Sequence, residues 1–139
     1  MATLDPTVVL IPAYNEAATV GDIVARVRRL WRCPVVVIDD CSTDATVRIA
    51  RLAGATVLPL TIQLGAWGAI QTGLRYALRQ GYQIAVTLDA DGQHDPEDIG
   101  ALLRLLATDA ADVAIGAFPE RASRARRFAW SYFRWLTGL

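Results

Sequence analysis

Asp89 and Asp91 stand just past the apolar run Ile84 to Leu88, with Gly92 and Gln93 following them. Side chains two apart on an extended segment point to the same side. At a separation of roughly 6 to 7 Å the two charges would repel by about 2 to 3 kcal/mol at an effective dielectric near 20. A divalent cation turns that repulsion into attraction. Carboxylate oxygens are hard ligands suited to Mg²⁺ or Mn²⁺, and Mg²⁺ is typically held by one or two carboxylates while substrate phosphates complete its octahedron. Gln93 offers a further neutral oxygen. A bare D-x-D is equally the composition of a solvated acidic turn, so its meaning depends on the elements around it.

Those elements alternate. Thr7 to Ile11, Val35 to Ile38, Thr56 to Leu58 and Ile84 to Leu88 are short apolar runs compatible with buried strands, and Asp112 to Ile115 predicts a fifth through Val113 and Ile115. Between the first two, Val20, Ile23, Val24, Val27, Leu30 and Trp31 follow one helical face. Ser42 or Asp44 caps a second helix running through Leu52 to Gly54, and a third opens in the loop Gly65 to Gly68 and stops at Gly81. Asp95 as N-cap, Pro96 in the first helical position and Glu97 and Asp98 in the first turn start a fourth. Strand and helix in alternation predict an α/β fold with a parallel sheet, right-handed crossovers and helices on both faces.

In open parallel sheets ligands sit outside the carboxyl ends of the strands. Pro12, Ala13, Tyr14, Asn15 and Glu16 follow the first strand, Asp39 and Asp40 the second, and Asp89, Asp91 and Gln93 the fourth. One sheet edge therefore collects four aspartates and a glutamate, an arrangement that is costly unless a cation or hydrogen-bond donors compensate it.

The bulk composition narrows the class. A chain of 139 residues is long enough for one domain with a real core. Its hydrophobic content is 53%, yet no stretch reaches the roughly 18 consecutive apolar residues of a membrane span. The start, MATLDPTVVL, lacks a basic region ahead of its apolar residues, which argues against a secretory signal and for a cytoplasmic protein. Cys33 and Cys41, with one histidine in the chain, make neither a disulfide framework nor a zinc site. Net charge is zero but uneven: residues 1 to 117 carry nine arginines against thirteen acids, net −4, and 118 to 139 carry five arginines against Glu120, net +4.

The strings VVLIPAYNEAATV, VVVIDDCSTDAT, LGAWGAIQTGLRYAL and VTLDADGQHDPEDI, in that order, resemble the family 2 glycosyltransferases of GT-A fold, especially the polyprenyl-phosphate or dolichol-phosphate mannosyl- and glucosyltransferases. The resemblance implies a GT-A-like, Rossmann-like, mostly parallel sheet whose C-terminal part lies beyond this chain. It implies one domain over 1–139, with 1–117 binding the nucleotide sugar and 118–139 opening the acceptor region. Pro12, Ala13, Tyr14 and Glu16 would line the nucleotide site, with Asp39 or Asp40 near the base or ribose. Asp89, Asp91 and Gln93 match the family's metal and diphosphate positions, and Mg²⁺ or Mn²⁺ is the implied cofactor. Chemistry agrees, because sugar transfer leaves charge on a departing diphosphate that a bridging cation stabilises.

A lipid monophosphate acceptor is already largely ionised near pH 7, so it needs cationic positioning more than a base. On a helical reading of 122 to 139, Arg127, Ser131 and Arg134 share one strip, and Phe128, Tyr132, Trp135 and Leu139 form an adjacent apolar face. The resemblance implies that Arg127 and Ser131 contact the acceptor phosphate. The expected partners are a nucleoside diphosphate sugar and a lipid-phosphate acceptor at the inner membrane face, with no nucleic acid. Where relatives place a Ser-Arg pair after the fifth strand, this chain reads Gly116, Ala117, Phe118, Pro119, and relatives continue past Leu139. A sheet ending early would expose edges and apolar helix faces, favouring self-association. Two alternatives stand beside transfer: a nucleotide-sugar-binding fragment without turnover, and a haloacid-dehalogenase-like phosphatase. The latter's aspartyl motif belongs on the first strand, whereas DADG follows the fourth. No G-x-G-x-x-G follows the first strand, which argues against a dehydrogenase.

Overall fold

The computed structural model describes residues 6–107 and 112–116. Its contacts divide the chain into a unit from Met1 to Gly100 and another from Ala101 to Leu139. In the first, β1 (Thr7–Ala13), α1 (Val20–Trp31), β2 (Val35–Asp39), α2 (Thr46–Leu52), β3 (Thr56–Pro59), α3 (Gly65–Arg79) and β4 (Ile84–Thr87) alternate as expected. A short 3-10 turn, Pro96–Asp98, leads into α4 (Ile99–Leu106).

The four strands form one parallel sheet in the order β3-β2-β1-β4. From β1 the chain steps to β2 and then β3, and afterwards returns over both to place β4 on the far side of β1. Right-handed crossovers therefore put α1 and α2 on one face and α3 on the other. The α3 face is built from Val8, Leu10, Val36 and Ile38 against Ala69 and Ala77. Gly73 lets the helix sit close, since a Cβ there would meet Ile38 Cδ1 at 2.8 Å. The alternate residues Val9, Ile11, Val35 and Val37 face the other way and are equally buried, as are Val20, Ile23, Val24 and Val27 of α1. Each such side chain stabilises the fold by roughly 1.5 to 3 kcal/mol relative to exposure.

Helix ends follow the sequence in part. Gly54 and Gly81 stop α2 and α3 in the left-handed region, with φ of 95° and 81°. The helix α1 ends instead on a non-glycine, Arg32 (φ 49°), whose N–H bonds back to the Arg28 carbonyl. Asp44, rather than Ser42, serves the start of α2, its Oδ1 accepting the Thr46 N–H at 2.9 Å. Asp95 accepts from Glu97 N as an N-cap, but the turn it opens is 3-10 before it becomes α-helical at Ile99.

Two expectations need correcting. Pro12 does not end the first strand, which runs on to Ala13. Val9 donates toward β2 (to Pro34 O), and the Leu10 carbonyl accepts from Leu88 of the β4 side, so even-numbered residues of β1 face β4. Pro12 thus lacks the N–H of the next rung to β4 but leaves the β2 ladder intact through Ala13. In the second unit, the expected strand Asp112 to Ile115 is irregular, and Val113 and Ile115 are exposed. Two alternating apolar residues are too short a pattern to specify a strand without a neighbour to pair with.

Candidate functional site

The reversal of direction at β1 creates a switch point between β1 and β4, the place where open parallel sheets bind ligands. Pro12 sharpens it, because the two strands can no longer be zipped beyond Leu10 and Leu88. The loops after β1 and β4 flank that crevice, and the loop after β2 borders it.

Loops one and two are sewn together. Asn15 takes a left-handed conformation (φ 54°). In it the Asn15 N–H donates to Ser42 Oγ at 2.9 Å and the side-chain carbonyl accepts from Thr43 N at 2.8 Å. Glu16 N donates to Thr46 Oγ1 at 2.8 Å and Ala17 N to Asp44 Oδ2 at 3.2 Å. Asp44 also receives the Thr46 hydroxyl, and this side-chain hydrogen bond is the main reason its carboxyl is held below the usual 3.8, helped by the N–H groups of Thr46 and Ala17. Ala13 is buried and presents only backbone, its carbonyl accepting the Asp40 N–H at 2.9 Å. Pro12 and Glu16 are half-buried, and Tyr14 is exposed at the crevice end of β1.

Asp39 and Asp40 are both 3% exposed but differ in what they do. Asp40 is saturated: Oδ1 accepts from Leu64 N at 2.7 Å and Oδ2 from Gly65 N at 2.8 Å, which fastens the start of α3 to the end of β2. In Asp39, Oδ2 accepts from Ser42 N at 3.2 Å, while Oδ1 is buried with no partner among the described residues. An unpaired buried acceptor costs about 1 to 3 kcal/mol, and more when charged. Of the two, Asp39 is the one with capacity for an outside donor such as a base N–H or a ribose hydroxyl.

After β4, Asp89, Asp91 and Gln93 are exposed. Gln93 N donates to Asp91 Oδ1 at 2.9 Å, closing a tight turn in which Gly92 has φ 78°. Asp89 Oδ2 lies 3.5 Å from His94 Nδ1. Neither aspartate is paired with an arginine among the described residues. Among those residues no three His, Cys, Asp or Glu side chains are grouped closely enough to hold a metal alone. Two exposed hard carboxylates, neither held by an arginine among the described residues, fit a cation that takes its remaining ligands from substrate oxygens and water.

The comparisons with known proteins bear on this arrangement. Residues 8–138 match the family model described as glycosyl transferase family 2. The chain belongs to that family. It is 37% identical to the polyprenol monophosphomannose synthase of Mycolicibacterium smegmatis, over 99% of this chain and 59% of that protein. It is also 37% identical to the undecaprenyl-phosphate mannosyltransferase of Micrococcus luteus, over 78% of this chain and 46% of that one. The family 2 chain thus spans about half the length of the curated relatives it matches. Its sheet and helices have the GT-A architecture of glucosyl-3-phosphoglycerate synthase from Mycobacterium tuberculosis, solved with Mn²⁺, uridine diphosphate and glucosyl-3-phosphoglycerate. The match to that structure has a TM-score of 0.63 and 26% identity over 73% of this chain and 39% of that one. The same synthase has been crystallised with Mg²⁺ and uridine diphosphate.

The structure brings the expected residues of loops one, two and four to one sheet edge. Arg127 and Ser131 lie outside the described residues. Sequence reasoning missed the hydroxyl-rich seam of Ser42, Thr43 and Thr46, of which it singled out only Ser42, as a helix cap, and it missed Thr19, whose Oγ1 donates to the Ala90 carbonyl across the switch point at 2.6 Å. A polar residue at a helix start reads as a cap from sequence, and nothing local marks a partner 71 positions away.

Proposed function

We propose that this chain is the donor-binding part of a nucleotide-sugar-dependent glycosyltransferase that passes a sugar to a polyprenyl phosphate. Residues 1–117 bind the nucleotide sugar and 118–139 open the acceptor region within one domain. Asp39 receives a donor group of the base or ribose through its unpaired Oδ1, Tyr14 and Pro12 border the nucleotide, and the loop-one backbone at Ala13 and Glu16 shapes its floor. Asp89 and Asp91, assisted by Gln93, hold Mg²⁺ or Mn²⁺. That cation supplies Lewis-acid stabilisation of the charge that develops on the leaving diphosphate. Loop one, tied down by loop two, keeps the anomeric carbon oriented while the acceptor phosphate oxygen attacks, and the C–O bond to the diphosphate breaks as the new one forms. Arg127 and Ser131 are the acceptor-phosphate contacts, and the names of the two mannosyl-transferring relatives support a lipid phosphate. No helix among the described residues is long and apolar enough to cross a membrane, and attachment at the inner membrane face is the reading that fits a lipid acceptor.

The observation that carries this proposal is the Asp89–Asp91 pair, without an arginine partner among the described residues, on the β4 side of the β1/β4 switch point. Calorimetry with uridine and guanosine diphosphates, with and without Mn²⁺, tests it. Binding tightens with the cation in the wild type, and Asp91→Ala loses that gain while keeping the cation-independent part. Equal affinity in EDTA and in Mn²⁺ overturns the cation site. Incubation with labelled sugar nucleotides and undecaprenyl phosphate then separates a working transferase from a binding fragment.

A further inference from the structure

Thr19 occupies the N-cap of α1, where a threonine hydroxyl ordinarily accepts the N–H two or three residues on. It makes no such bond. Its Oγ1 lies 2.6 Å from the carbonyl oxygen of Ala90, the residue between Asp89 and Asp91. A carbonyl has no proton to give, so the hydroxyl is the donor, and it has only one proton to commit. The other acceptors near it, Glu16 Oε2 at 3.1 Å and Glu16 O at 3.4 Å, are more distant. Ala90 is 3% exposed, so water is a poor substitute for this partner.

The far end of the same loop is also fastened to α1. Arg26 Nη2 lies 2.8 Å from Asp95 Oδ1, and Trp31 Nε1 donates to the Pro96 carbonyl at 2.7 Å. Between these anchors, Thr19 is the one described side chain from another element that hydrogen-bonds any of residues Ala90 to Gln93.

We propose that Thr19 is a positioning residue for the cation-binding loop. Its hydroxyl pins the middle of the Asp89–Ala90–Asp91 segment against loop one across the switch point, and so sets the direction of both carboxylates relative to a seated nucleotide. This inference rests on the assignment of Asp89 and Asp91 to a cation. It also explains why the hydroxyl is diverted from the helix it begins.

The test combines two readings on the wild type, Thr19→Val and Thr19→Ser. Calorimetric titration with uridine and guanosine diphosphates gives the ratio of affinities with and without Mn²⁺, and amide hydrogen exchange of residues 89–93 is followed in the metal-free protein. Loss of one hydrogen bond is worth about 1 kcal/mol, so Thr19→Val lowers the Mn²⁺-dependent gain roughly five- to tenfold. Metal-free affinity stays within about twofold on the same scale, exchange at 90–93 accelerates, and Thr19→Ser restores both readings. A merely structural hydroxyl would lower thermal stability without moving the affinity ratio. A wild-type ratio in Thr19→Val, or no rescue by serine, overturns the inference. A wild type with no Mn²⁺-dependent gain overturns instead the cation reading beneath it. Should Thr19→Val not fold, Thr19→Ala is carried through the same two measurements.

Discussion

Loops one and two differ from the loop after β4 in how their charges are held. In the first pair, backbone N–H groups of Asn15, Glu16 and Ala17 are all taken by side chains of Ser42, Thr46 and Asp44. Asp39 and Asp40 are buried within that frame. The β4 loop has exposed carboxylates, an internal turn at Asp91 to Gln93, a strap from Thr19 at its middle and ties to Arg26 and Trp31 at its far end. The contrast separates a part of the edge whose polar groups are already paired from a part whose carboxylates are open to solvent. A frame already held in the free protein limits the ordering cost of binding. On the reading proposed above, the exposed carboxylates after β4 are the part that a cation would complete.

The largest effect expected from breaking this contrast falls on stability and at Asp40. Replacing it by alanine removes two charge-assisted hydrogen bonds, to Leu64 N and Gly65 N, that fasten α3 to the sheet. Bonds to charged groups contribute about 1.5 to 3 kcal/mol each, so urea unfolding of Asp40→Ala shows a loss of about 3 kcal/mol. Asp91→Ala, on an exposed turn, stays within about 0.5 kcal/mol of wild type in the same experiment. Comparable losses at the two positions would erase the distinction between frame and ligand-completed loop.

Asp39 sharpens the comparison from inside the frame. Asp39→Asn keeps an oxygen for Ser42 N and puts an NH₂ group where the unpaired Oδ1 stands. The proposed acceptor for the nucleotide becomes a donor, while a buried charge disappears. Nucleoside diphosphate affinity falls at least about tenfold, equivalent to 1.4 kcal/mol, equally with and without Mn²⁺. Stability is unchanged within about 1 kcal/mol, because the lost charge had no partner on one side. Calorimetry decides it: a loss confined to the Mn²⁺ condition would move Asp39 into the cation site.

Much of this frame was legible in the chain itself. Four apolar runs with helical periods between them specify the sheet, although only the central β1 and β2 are buried on both faces as continuous Val and Ile require, while β3 and β4, at the ends of the described sheet, are partly exposed, and the D-x-D after the fourth run was visible by type and spacing. What stayed hidden was long-range. Asp39 and Asp40 are chemically identical and adjacent, and only the folded position of Leu64 and Gly65 shows which one is consumed by the fold. Pro12 reads as a strand end until the direction of its missing N–H, toward β4, is known. The segment Asp112 to Ile115 has the composition of a strand, but strand formation depends on a partner ladder that composition does not encode.

The smallest expected effect is in acid, and it acts on the seam between loops one and two. Asp44 has its carboxyl held below the ordinary 3.8, chiefly by the Thr46 hydroxyl and then by the Thr46 and Ala17 N–H groups. A folded value below the unfolded one means that the ionised form is bound more tightly in the native state. The contribution is therefore fully present above pH 3.8 and is lost as pH falls through the folded value. Asp44 is exposed, so solvent screens the interaction and the change is modest. Between pH 5 and pH 3, amide exchange at Glu16, Ala17 and Thr46 accelerates in the wild type relative to its intrinsic rate at each pH, and Asp44→Asn shows that loss of protection already at pH 5. The β4 loop supplies the internal control, since residues 90–93 make no contact with Asp44 in the hydrogen-bond network. Acceleration at both loops together would mean that acid loosens the whole edge and that the seam is not separately held.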